Sequence, residues 1–137
     1  MFIDMETGGP SVRRVSWTDL PDDEALLLWS LRRLVIAWPN CRAVEVALHR
    51  RWGDDAPGVA HLLRCWLHAL ATRSSRPLVV GDPACAMLLA DEGAMLFAWA
   101  NADRPDRAGP ALAALCARDA DTLLPLAAAL GRFSASS

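Results

Sequence analysis

Apolar positions recur with a helical period over most of the chain. In "PDDEALLLWSLRRLVIAW", Leu27, Leu28, Leu31, Leu34 and Val35 return every three or four residues and form one stripe. Pro21 presets a first-turn φ, and Asp22, Asp23 and Glu24 place negative charge at the positive end of the helix dipole. Pro39 disfavours helical backbone at Trp38, so this helix is predicted to end near Ala37. Asn40 suits the N-cap of a second helix over residues 41–52, closed by Gly53. Its apolar face is Cys41, Val44, Leu48 and Trp52, with Arg42, Glu45 and His49 pointing away. After the turn "GDDAPG", Asp55 and Pro57 open a third helix reaching Thr72, whose core side carries Leu62, Leu63, Trp66, Ala69 and Leu70.

The second half is less regular. "RSSRPLVVGDPAC" reads as irregular, with Leu78 to Val80 extended and Asp82-Pro83 starting a short helical turn. Helices are predicted over residues 91–102 and 110–118, with "NADRPDRAGP" as the loop between them. Asp121 caps a last helix that tolerates Pro125 in its first turn. Residues 1–17 lack helical periodicity and read as an extended or mobile arm, with Phe2, Ile3 and Trp17 available as anchors. The helical domain is expected over residues 18–131, followed by a frayed tail over 132–137. No alternating run is long enough to anchor a sheet. The predicted fold is all-α, a compact single-domain bundle of about five or six helices.

Composition narrows the function classes. The chain has 137 residues, 53% of them hydrophobic, enough for one core. All 14 basic residues are arginine, and the net charge is −2, which disfavours nucleic acid and anionic membranes as partners. The longest apolar stretch is broken by Asp91 and Glu92, so no membrane span is expected. The opening residues resemble no signal peptide, and a cytoplasmic location is expected. Cys41, Cys65, Cys85 and Cys116 have long, irregular spacings without a CxxC pair, which argues for buried free thiols rather than a disulfide framework.

The stretch "HLLRCWLHAL" offers the main candidate chemistry. His61 and Cys65 lie four apart and Cys65 and His68 three apart, so each pair shares a helix face. These are the side chains that hold zinc. Against that, His61 and His68 stand about 10 Å apart along the axis, and Arg64 projects between them with a charge that repels a cation. No second ligand pair completes a site. No nucleophile elbow, Walker loop, dinucleotide fingerprint or HExxH is present. The acid pairs Asp22–Asp23, Asp54–Asp55 and Asp91–Glu92 sit at turns or helix starts, where capping accounts for them. No enzyme and no cofactor are therefore expected.

The first helix points elsewhere. Leu26, Trp29, Arg33 and Ile36 lie opposite its core stripe, leaving apolar surface over. Six tryptophans without a tyrosine fit an interface, where tryptophan is over-represented. "DEALLLWSLRRLVIAWPNC" with "RPLVVGDPACAMLLADEGAMLFAWANA" resembles a small family of uncharacterised bacterial all-α proteins, through Trp29, Arg76, Pro77, Pro83, Cys85, Asp91 and Glu92. The resemblance covers residues 20–130 and implies a shared helical fold, with no assigned activity and no catalytic residues. It draws attention to Cys85, whose thiol would ionise more readily at a helix start. The expected function is a non-catalytic interaction or regulatory module, homodimeric through the first helix. The alternative is a small-ligand, metal or redox sensor built on His61, Cys65 and His68, or on Cys85.

Overall fold

Among the described residues the hydrophobic stripes assemble into six helices around one core. The computed structural model describes residues 3–6, 12–16, 19–116 and 119–134, with side chains described from Ser16 onward. Helices α1 (Asp22–Ile36), α2 (Arg42–Trp52) and α3 (Ala56–Arg73) follow one another closely. Then come α4 (Ala90–Ala100), α5 (Pro105–Leu115) and α6 (Leu124–Ser134). The fold is an all-α bundle, and among the described residues no helix is long and apolar enough to cross a membrane.

Leu27, Leu28, Leu31 and Leu34 of α1 share one buried core with Leu63, Trp66, Leu67 and Leu70 of α3, and with Met95, Trp99, Leu112 and Leu130 of the later helices. Trp66 and Trp99 meet edge to face at 5.7 Å, a favoured arrangement of ring quadrupoles. Helix α4 packs on both α5 and α6. At Gly131 a β-carbon would strike the carbonyl of Trp99, so glycine sets how closely α6 approaches α4. Helix α1 stops at Ile36 as its proline signal predicts, and the Trp38–Pro39 bond is cis. Gly53 closes α2 at φ +56°, in the left-handed region that favours glycine.

Three departures from the sequence reading have physical causes. Helix α5 begins at Pro105 rather than near residue 110. Pro105 takes the first helical turn, where a missing N–H costs nothing, and Asp106 adds dipole charge there. Pro110 lies inside the helix, but it and Asp106, whose carbonyl its N–H would have met, are both exposed and reachable by water. Helix α6 extends to Ser134, past the boundary at 131, because Phe133 packs edge-on against Trp52 at 5.6 Å.

The third departure is sheet pairing. Strand β1 (Ile3–Glu6) runs parallel to β3 (Leu78–Gly81), from Ile3 opposite Leu78 to Glu6 opposite Gly81. Strand β2 (Val12–Ser16) pairs antiparallel with β4 (Met87–Leu89) across an irregular register. These strands are too short to announce themselves by alternation, and their partners lie far away in sequence. Phe2 and Trp17, the other suggested anchors of the arm, fall outside the described residues.

Candidate functional site

The deepest polar feature is a charge that helix periodicity places beside the core stripe of α1. Arg32 is completely buried, and its Nε and Nη2 donate to Glu92 Oε2 and Oε1 at 2.7 and 2.8 Å. Nη1 donates to the carbonyls of Cys85 at 2.8 Å and Asp82 at 3.4 Å, and Nη2 to that of Met87 at 2.8 Å. All the N–H donors of a guanidinium are thereby engaged. Glu92, equally buried, also accepts from the backbone N–H of Gly81 and Leu89, both at 2.9 Å. A β-carbon on Gly81 would lie 2.9 Å from Arg32 Cζ, so glycine leaves room for the guanidinium.

Asp91 repeats the device nearer the surface. It takes Arg76 Nη2 at 2.9 Å and Nη1 at 3.1 Å, and the Val79 N–H at 2.8 Å, while Arg76 also reaches the Ala114 carbonyl. The "DE" pair is thus more than a helix cap. It pins the segment from β3 to β4 onto α1, α4 and α5. Helices α1 and α2 are tied likewise, by Arg51 to nearly buried Asp23 at 2.7 and 2.8 Å. Of these arginines, Arg32 is wholly enclosed, while Arg51 and Arg76 remain 40% and 49% exposed.

The α3 candidates come together only in part. His61 Nε2 meets Cys65 Sγ at 3.4 Å, while His61 and His68 are exposed. Among the described residues no three His, Cys, Asp or Glu side chains are grouped to hold a metal ion. Cys85 is half-buried in the clamped segment, where its thiol donates to the Met87 carbonyl at 3.5 Å. Arg64 lines a groove shared with α2.

Cys41, read as a core residue, carries further chemistry at the start of α2. Burial pushes its thiol up, but the N–H groups of Val44 and Ala43 and the Arg33 guanidinium outweigh this and favour the thiolate. No full cap hydrogen bond is made, so the effect is the sum of weaker approaches. Arg33 itself stacks over Trp29, with Cζ 5.7 Å from the ring centre.

Among the described residues, exposed surface of interest includes two regions, besides Phe97 at 48% exposure. On α1, Leu26, Trp29 and Arg33 are half-buried, and Ile36 at the end of the stripe is 58% exposed, with Trp38 just beyond at 38%. Between α2 and α3 lies a groove of about 510 Å³ walled by Arg42, His49 and Arg50 on one side and Arg64 on the other. The sequence marks Arg42 and His49 as a solvated face and gives no sign that the face becomes concave. Searches against family models, curated proteins and solved structures find no match to this chain.

Proposed function

We propose that this protein is a non-catalytic interaction module that self-associates through the Leu26, Trp29, Arg33 and Ile36 stripe of α1. The observation that carries the reading is the gradient of cover along that stripe. Its first three residues are half-covered by their own chain, while Ile36 is largely bare beside exposed Trp38. Tryptophan and arginine are the side chains over-represented where binding energy concentrates. Positions 26, 29, 33 and 36 share one face, so two copies could lay the same stripe on each other about a two-fold axis. The full engagement of the buried Arg32 guanidinium by Glu92 and three carbonyls supports a structural rather than catalytic use of that pair. Four free cysteines are in keeping with a reducing, cytoplasmic setting.

Sedimentation tests the reading. The wild-type chain should sediment as a dimer at micromolar concentration, and Ile36→Glu as a folded monomer. Ile36 is exposed, so that substitution leaves the core alone. A wild-type chain that stays monomeric at high concentration would refute it. The 3.4 Å contact of Cys65 with His61 favours a second reading, a thiol sensor on α3, which requires Cys65 to alkylate faster than Cys116 in its buried site.

A further inference from the structure

We propose that the groove between α2 and α3 docks an acidic peptide segment, one presenting two carboxylates about 12 Å apart on either side of an apolar residue. The site differs from the α1 stripe and rests on separate observations. The whole chain carries a net charge of −2, yet the groove lining holds three arginines and one acid, Glu45. Glu45 neutralises little: it stands 3.7 Å from Arg42, with the two side chains 50% and 88% exposed. Among the described residues Arg50 and Arg64 form no ion pair, whereas Arg32, Arg51 and Arg76 each hold a carboxylate in a two-pronged grip. The open arginines offer the same fork to a carboxylate from outside.

The helices decide the spacing. Arg42 and Arg50 are eight residues apart on α2, about 12 Å along its axis. A three-residue turn, Gly53–Asp55, folds α3 back beside α2. That return places Arg64 toward the Arg42 end and leaves His49 and Arg50 near Pro57 at the other. Between the charged ends the lining is Glu45 and apolar Val46 on α2 and the small Ala60 on α3. An extended peptide rises about 3.3 Å per residue, so carboxylates four residues apart span the two ends over a central apolar side chain. Glu45 interrupts the positive lining, which opposes an unbroken phosphate chain more than two carboxylates set apart on either side of it and so favours a peptide over a nucleic acid.

Fluorescence anisotropy with the full chain tests this, using a labelled peptide with a central Glu-Ala-Leu-Ala-Glu. Controls are the same peptide with Gln for both Glu, one with the two Glu adjacent, and a labelled oligouridylate. The Glu-Ala-Leu-Ala-Glu peptide should bind saturably, and the Gln and adjacent-Glu peptides at least about tenfold more weakly. Arg50→Ala and Arg64→Ala should each weaken binding about tenfold or more with an unchanged thermal melt. Ile36→Glu should bind as wild type, which separates this site from self-association. The proposal is overturned if the peptide fails to bind, if both arginine variants bind as wild type, or if the oligouridylate binds more tightly.

Discussion

Removing Arg32 should unfasten the segment between β3 and β4 from the bundle. In Arg32→Met the side chain keeps most of its bulk, so the effect isolates the guanidinium. Glu92 loses both of its Arg32 hydrogen bonds and keeps only the N–H groups of Gly81 and Leu89. The carbonyls of Asp82, Cys85 and Met87 lose a donor at the same stroke. Leaving one partner of a buried ion pair uncompensated costs about 3–5 kcal/mol. A domain of this size has about 5–15 kcal/mol in all, so the variant should melt roughly 10–20 °C lower. Adding Glu92→Leu removes the stranded charge but also strips an acceptor from Gly81 and Leu89. The double variant should therefore recover only part of the loss. Equilibrium urea unfolding of wild type, both single variants and the double variant measures each quantity. A loss below about 1 kcal/mol for Arg32→Met, the worth of a single ordinary hydrogen bond, would refute the reasoning, as would full recovery in the double variant.

Gly131→Ala should lower stability by about 1–3 kcal/mol or more, because its β-carbon meets the rigid Trp99 backbone and α6 must move away from α4; thermal melting checks this. Gly81→Ala should also lower the melting temperature, because its β-carbon would lie 2.9 Å from Cζ of Arg32, a buried guanidinium held in place by Glu92 and three carbonyls. Because Cys41 ionises more readily folded than unfolded, its thiolate adds stability above the free-thiol range and loses it as pH falls through the folded value. Arg33→Ala should move the Cys41 alkylation midpoint to higher pH, and an unmoved midpoint would show that Arg33 is not what favours the thiolate. His61→Ala with His68→Ala should leave the melting temperature within about 0.5 kcal/mol equivalent of wild type, as both rings are exposed.

Local sequence settled the existence and faces of α1, α2 and α3, because a 3.6-residue apolar period, a proline and a glycine act within a few residues of themselves. The end of α1 before Trp38 and the closure of α2 at Gly53 follow from φ preferences alone. The start of α5 was hidden because Pro105 and Pro110 carry opposite meanings by position, and only packing against α4 decides which applies. Nothing in the local sequence marks Arg32 for burial. Its burial depends on Glu92, sixty residues on, since a charge leaves water only where a partner replaces its solvation. Asp91 and Glu92 are legible as helix-start acids, and Glu92 does accept the Leu89 N–H there, but capping is local and their arginine partners are not. The strand pairings and the groove belong to tertiary structure as well. β1 requires β3 to pair with, and the polar face of α2 becomes a wall because α3 returns beside it with alanines too small to fill the space between.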